Sequence, residues 1–309
     1  MAQGRGCEAP APAHHRRRPL AARKGAGVTR TPVFSVLTLP DDLGGLAKGH
    51  EGAERFRKHQ GLGASPIADV AMLADEVGVV VARIPLGGDE QAPDGCSAVD
   101  SITGAPYVLI NSDKPRVRRR FTITHEIGHL ALGHLLGGQV LVDETVGGKS
   151  ALERQANTLA AGVLMPKEGV RGGWRRVEER LGEKPGPLAW IAWLAASFGV
   201  SEQAAAYRLA NLELIQAVGG DTAEAVEKMA ENPVLLRETR APLGLSLVTA
   251  DAERGAIEVG PSMRARIAWA LEEGLISVDG AAVMLHQPAE AVYRWVAQSG
   301  IQLGLRSHK

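Results

Sequence analysis

The sequence is poor in cysteine and in aromatic residues, and each shortage excludes a class of protein. Only two of the 309 residues are cysteines, Cys7 and Cys96, which excludes a disulfide framework and favours the reducing cytoplasm. Aromatic residues make up 4% of the chain beside 37 glycines, which predicts a loop-rich protein packed by Ala, Val and Leu. No stretch approaches about 18 consecutive apolar residues, so we expect no membrane span.

The chain also lacks net charge, because 35 basic residues balance 35 acidic ones. This balance excludes a globally basic nucleic-acid-binding protein. Residues 1–30 nevertheless hold seven Arg or Lys against one acid, so they carry +6 and the rest of the chain carries −6. The run Arg16-Arg17-Arg18 lacks the apolar region that an export signal requires after it, and we interpret residues 1–42 as a disordered basic arm.

The spacing of apolar residues predicts an α+β protein that is mainly helical. Three short β-branched runs separated by turn residues predict a small antiparallel sheet over 79–84, 96–99 and 106–110. Helical spacing predicts the helices 43–60, 65–78, 115–136, 150–164, 188–197, 201–214 and 221–231, with further helices in 262–298. We expect a disordered arm over 1–42, a first folded domain over 43–170, a helical region over 171–216 and a C-terminal helical region over 217–309.

One segment carries the pattern of a metal site. Residues 121–129 read Phe-Thr-Ile-Thr-His-Glu-Ile-Gly-His, which places His-Glu-x-x-His on a predicted helix. Because four residues advance a helix by about 400°, His125 and His129 share one face and can bind one ion. Glu126 is rotated by about 100° from the adjacent His125, so its carboxylate lies beside the ion, where it can deprotonate a water molecule. The pattern predicts a zinc site with Glu126 as catalytic base.

A catalytic zinc needs a third protein ligand and an open position for water. His134 follows His129 by five residues, about 140° round the helix, and we expect it to point away as an ordinary surface or core histidine. Leu132 and Leu135 stand where the extended metzincin motif requires Gly and His, which excludes that class.

The favoured third ligand is Glu153, on the helix predicted after the zinc helix. Its small neighbours, such as Ala156, would let the two helices approach closely. Ser150 also forms a capping-box pattern with Glu153, in which the carboxylate would only cap the backbone. Asp143 and Glu144, in the loop before this helix, remain alternative ligands.

Three separated segments then carry a specific resemblance: Val-Leu-Ile-Asn at 108–111, the run 119–130 that contains the zinc motif, and Glu-Arg-Gln-Ala-Asn through Leu-Met-Pro at 153–166. In this order they resemble the ImmA/IrrE family of bacterial metallopeptidases, from about residue 66 to about residue 215. The resemblance implies a zincin-like domain of the gluzincin type. It also implies zinc ligands at His125, His129 and Glu153 and a catalytic base at Glu126.

The resemblance implies a function as well. Family members cleave a helix-turn-helix repressor, often encoded nearby, and so switch on stress-response or mobile-element genes. We therefore expect a zinc-dependent endopeptidase that acts on such a protein partner. The alternative is a non-proteolytic transcriptional regulator or toxin-antitoxin component that uses the same fold for binding.

The sequence does not single out a second group that stabilises the oxyanion. Tyr107, Arg120 and Tyr207 have suitable chemistry, although each also has a simple structural interpretation. Asn157, one helical turn after the candidate third ligand, can orient a ligand by hydrogen bonding. Cys96 is either an inhibitory thiolate on the zinc or, as we favour, a small strand residue.

Two helical pairs have the pattern of helix-turn-helix units. The first, 188–214, has Gly199 in its turn, and the weaker second, within 272–298, has His286 in place of the usual turn glycine. The second helix of each pair carries one Arg against one Glu, so the electrostatic attraction to DNA is nearly absent. Packing or substrate docking is therefore favoured over DNA binding.

Overall fold

The fold is taken from a computed structural model of the chain. The structure describes residues 39, 44–89, 91–100, 104–135, 140–143, 150–181, 186–215, 258–285 and 287–304. Apart from Leu39, the arm predicted over 1–42 lies outside these residues, as does the helix predicted over 221–231.

The described residues form helices and five short strands, and the α+β, mainly helical class is confirmed. The helices are α1 (Gly45–His59), α2 (Val70–Glu76), α3 (Arg116–Ala131), α4 (Ala151–Leu164), α5 (Lys167–Leu181), α6 (Pro187–Phe198), α7 (Glu202–Asn211), α8 (Pro261–Glu272), α9 (Val278–Leu285) and α10 (Ala289–Ser299). The strands are β1 (Val80–Ile84), β2 (Gly95–Val99), β3 (Pro106–Asn111), β4 (Val140–Asp143) and β5 (Glu258–Val259).

The strands form one mixed sheet in the order β4-β2-β3-β1-β5. β2 runs antiparallel to β3, as predicted, and also to β4, but β1 lies parallel to β3 with Val81 opposite Val108. The prediction of a wholly antiparallel sheet is wrong at this pairing, because β3 lies between β1 and β2 and so these consecutive strands are not neighbours.

A buried asparagine fixes the connection between β1 and β2. The Asn111 amide oxygen accepts hydrogen bonds from the backbone N–H of Leu86 and Asp113, and its amide nitrogen donates to the carbonyls of Gly87 and Pro93. All four hydrogen-bonding positions of this side chain are used, as a buried amide requires. The connection is therefore held against the end of β3.

The zinc-motif helix lies in the middle of the fold. α3 contacts β2 and β3 on one side and α4 on the other, and α4 in turn packs against α1. The main core joins these elements to α2, α6 and α7 through buried side chains that include Val81, Ile110, Ile127, Leu159 and Leu194. The polar residues of the zinc motif on α3 are thus buried in the core.

Two helix boundaries differ from the prediction for local reasons. α2 begins at Val70 because the Asp69 carboxylate caps it, accepting from the N–H of Ala71 and Met72. α3 ends at Ala131, five residues before the predicted end, because Gly133 adopts the left-handed conformation with φ 71°. α5, β4 and β5 were not predicted.

The C-terminal helices α8–α10 have an apolar cluster of their own, built on Ile267, Leu271, Leu285 and Val292. The helices predicted in 262–298 are confirmed, whereas the four-part domain division stays a prediction. In the described part of the chain, no helix is long and apolar enough to cross a membrane.

Candidate metal centre

α3 places the three residues of the zinc motif in the interior. His125, Glu126 and His129 are each 0% exposed, which is unusual for polar side chains unless they are paired or bind a metal. The two histidine rings lie one turn apart, with their centroids separated by 4.6 Å. The shared helical face predicted from the spacing is confirmed.

A close approach between α3 and α4 brings Glu153 to His125 and His129. A Cβ at Gly128 would lie 3.2 Å from the carbonyl oxygen of Ala156, so the absence of a side chain here lets α4 approach α3. At the start of α4 the Ser150 hydroxyl accepts a hydrogen bond from the N–H of Glu153. Ser150 is therefore the cap, while the Glu153 side chain extends to the two histidines.

The three side chains converge on one point. The Nε2 atoms of His125 and His129 are 3.0 Å apart, and the Glu153 carboxylate oxygens lie 3.2 Å from the first and 3.3 Å from the second. Ligands bound tetrahedrally at about 2.0–2.1 Å from zinc lie about 3.3 Å from one another. Both the spacing and the two-imidazole, one-carboxylate chemistry therefore fit a divalent metal such as zinc.

The sequence comparison agrees with this geometry. Residues 74–210 match the Peptidase_M78 family model, described as an IrrE N-terminal-like domain. This segment is a Peptidase_M78 domain. The resemblance to the ImmA/IrrE family is confirmed over this segment. The domain supports a peptidase, and its His125, His129 and Glu153 form a group that could hold a metal. No match was found among curated proteins.

The pKa shifts of His129 and Glu153 suit the binding of a cation. Burial, with a contribution from the neighbouring His125, lowers the pKa of His129 to about 4, so its imidazole is neutral at pH 7. Hydrogen bonding to His125 lowers the pKa of the Glu153 carboxyl, which keeps it ionised. A metal ligand must offer a free lone pair, and neutral imidazole and carboxylate both do.

The sequence also offered Asp143 and Glu144 as alternative zinc ligands and Cys96 as an inhibitory thiolate. The side chain of Asp143 and the whole of Glu144 lie outside what the structure describes. Cys96 lies on β2, and burial, together with the negative charge of Glu126, raises the pKa of its thiol. Its place on the strand agrees with the interpretation of Cys96 as a small strand residue, and an inhibitory role stays a prediction.

Arg120 lies on α3 but is engaged elsewhere. Its buried guanidinium donates hydrogen bonds to four backbone carbonyls, those of Ile67, Ala68, Phe198 and Gly199. These contacts hold the loop before α2 and the C-terminus of α6 against α3. They give Arg120 a structural role, and we do not propose it as a transition-state group.

The other candidate site residues differ in their surroundings. The Tyr107 hydroxyl accepts a hydrogen bond from Arg266, whose guanidinium also lies 5.5 Å from the centre of the Tyr107 ring. Tyr207, on α7, is 38% exposed. Asn157 has a buried Oδ1 with no hydrogen-bond partner among the described residues. The catalytic or orienting roles of Tyr107, Tyr207 and Asn157 stay predictions.

Two residues near the metal group differ from the sequence prediction: His134 was placed wrongly, and Gln155 was not singled out. His134 does not point away; its Nδ1 lies 3.1 Å from Nδ1 of His129, and its Nε2 lies 3.1 Å from the Gln155 side-chain oxygen. The prediction was wrong because it continued α3 as a regular helix past Gly133. A glycine followed by a histidine in the turn after the zinc motif was the available signal.

Proposed function

We propose that the chain is a zinc-dependent endopeptidase that cleaves a regulatory protein, with a helix-turn-helix repressor encoded nearby as the substrate. The observation that carries the proposal is the convergence of His125, His129 and Glu153 beside a buried Glu126 within a peptidase-family domain. In this view cleavage derepresses stress-response or mobile-element genes. The cytoplasmic location remains an expectation from the low cysteine content.

His125, His129 and Glu153 would hold the zinc ion, since their donor atoms are already gathered at ligand spacing. When bound, zinc would supply the Lewis acid that polarises the scissile carbonyl and lowers the pKa of water. Glu126 would take the proton of the attacking water and deliver it to the leaving amine. Because Glu126 is fully buried, its carboxylate works in a low-dielectric setting where proton transfer is sensitive to position.

The Glu126→Gln variant tests this assignment. We expect it to retain one zinc per chain and to lose cleavage of the purified neighbouring repressor by about 10²- to 10⁴-fold, because only the base is removed. Zinc content is measured by elemental analysis and cleavage by mass spectrometry of the products. Glu76→Gln, at an exposed position of α2, is the matched control and should cleave normally.

Cleavage that is unchanged in Glu126→Gln would contradict the proposal. A different result would favour the binding-only alternative: DNA or partner binding by the wild-type protein that survives complete removal of metal. The basic residue in the second helix of the first helical pair argues against DNA binding there, because Arg208 is 5% exposed and donates to the Met165 carbonyl.

A further inference from the structure

The end of α3 is shaped so that a histidine folds back onto a residue of the metal group. Gly133 takes a positive φ of 71°, and the N–H groups of Gly133 and His134 donate to the carbonyls of Leu130 and His129. This pair of bonds reverses the chain after the last helical turn. As a result the rings of His134 and His129 meet edge to face, with their centroids 5.0 Å apart.

From His129 a line of hydrogen bonds leads to α4. Nδ1 of His129 lies 3.1 Å from Nδ1 of His134, and Nε2 of His134 lies 3.1 Å from the Gln155 side-chain oxygen. Gln155 is 8% exposed and stands two residues after Glu153 on the same helix. The line therefore connects the second residue of the metal group to the helix that carries the third.

The direction of each hydrogen bond follows from the metal group. Nε2 of His129 faces Nε2 of His125 and the Glu153 carboxylate, so it must be unprotonated when it binds a metal. The neutral ring then carries its proton on Nδ1 and donates it to Nδ1 of His134. His134 must accept at Nδ1 and keep its own proton on Nε2, where the Gln155 carbonyl oxygen accepts it.

We propose that His134 and Gln155 are positioning residues that fix the tautomer and orientation of His129 and thereby set the zinc affinity of the site. The proposal rests on the proposed function only in taking the His-His-Glu group as the zinc site. Hydrogen-bond partners of metal-binding histidines typically contribute about 10- to 100-fold to metal affinity. His134 contacts Nδ1 of His129, the ring nitrogen that does not face the metal group. It therefore acts through the His129 ring and does not bind the ion itself.

Zinc affinity of the full-length chain, measured by competition with a chromophoric chelator, tests the proposal. We expect His134→Leu and Gln155→Met to weaken zinc binding by about 10- to 100-fold, because each breaks the line of hydrogen bonds. His134→Asn keeps an acceptor near the position of Nδ1 and should recover most of the affinity lost in His134→Leu. Gln155→Glu keeps the acceptor for His134 and should bind zinc much as the wild type does.

A purely structural role predicts a different pattern. His59→Asn, at an exposed position of α1, is the matched control and should leave zinc affinity unchanged. If His134→Leu and Gln155→Met lower the melting temperature of the metal-free protein but bind zinc within about twofold of wild type, the proposal is overturned. If His134→Leu does not fold, Gln155→Met and the Asn variant decide the question.

The tautomers give a second readout. Long-range ¹H–¹⁵N spectra of the zinc-bound wild type should show His129 protonated at Nδ1 and His134 protonated at Nε2. A His134 ring protonated at Nδ1 would overturn the assignment. The proposed peptidase function is tested by a separate result. A protein whose zinc affinity depends on His134 and Gln155 but that cleaves no repressor would refute the endopeptidase and leave the positioning role intact.

Discussion

The two helical pairs share one sequence pattern, yet they have different surroundings. α6–α7 belongs to the main core, in which Trp190, Leu194 and Leu209 are all fully buried. α9–α10 belongs to the smaller C-terminal cluster and leaves large apolar side chains exposed, including Val283 at 74% and Tyr293 at 54%. A local pattern of helix, short turn and helix thus predicts the pair but not what it packs against.

Buried arginines hold the first pair to the peptidase core. Arg120 of α3 donates to the carbonyls at the end of α6, and Arg208 of α7 donates to the Met165 carbonyl after α4. Burial lowers the pKa of Arg208 to about 10, which still leaves the guanidinium charged at neutral pH. Charged donors in this setting satisfy helix-end carbonyls that would otherwise lack partners.

The C-terminal helices α8–α10 are attached through the edge of the sheet. β5 pairs with β1, placing Val259 opposite Ala82, and the Asp75 carboxylate accepts a hydrogen bond from the N–H of Ser262 at the start of α8. Arg266 of α8 adds the contact with Tyr107. This attachment uses strand pairing, a few polar contacts and the packing of Ala82 against the C-terminal cluster, whereas the first pair shares the main apolar core.

Among the variants that distinguish α6–α7 from α9–α10, Arg120→Met should lower the free energy of unfolding most. Removing the guanidinium leaves buried carbonyls without donors, at about 1–3 kcal/mol each, so we expect a loss of roughly 3 kcal/mol or more in the free energy of unfolding. Urea denaturation followed by circular dichroism measures it. Arg175→Met, at an exposed position of α5, should change stability by less than about 0.5 kcal/mol. Equal effects would show that the Arg120 contacts do not hold the first pair.

The sequence indicated which residues meet in the metal group, and their roles as zinc ligands stay predictions. The shared face of His125 and His129 follows from helical geometry, whereas Glu153 was favoured over Asp143 and Glu144 by its small neighbours, such as Ala156, and by the family resemblance. The strands β1 to β3 were also found from β-branched runs. These features depend on neighbours in the chain or on side-chain size, both of which can be read from one sequence.

What the sequence did not predict depends on long-range contacts. β1 pairs in parallel with β3, whose end residue Asn111 binds the connection between β1 and β2, and β5 pairs with β1 across more than half of the chain. The engagement of Arg120 with Gly199 likewise joins distant segments. His134 was the exception, since its position follows from the left-handed Gly133 just before it.

A smaller effect is expected at the attachment of α8–α10. Asp75→Ala removes the carboxylate that accepts a hydrogen bond from the Ser262 N–H at the start of α8, and the loss of such a hydrogen bond costs about 1 kcal/mol. Hydrogen exchange should accelerate in α8–α10 while zinc affinity stays at the wild-type value. Glu76→Ala, the exposed neighbour, should leave exchange unchanged. Faster exchange spread evenly through α6–α7 as well would contradict the view that the two pairs are attached separately.

The smallest effect should come from Val283→Ala, on the exposed surface of α9. With 74% of the residue already in solvent, the substitution removes little buried surface, and we expect a change within about 0.5 kcal/mol. Val292→Ala, the same change at a fully buried position of α10, is the matched comparison and should cost roughly 1–3 kcal/mol through the cavity it leaves. Urea denaturation of both variants gives the difference directly. If Val283→Ala is as destabilising as Val292→Ala, the exposed surface of α9 is covered in the folded protein, and the contrast between an enclosed first pair and an open second pair is lost.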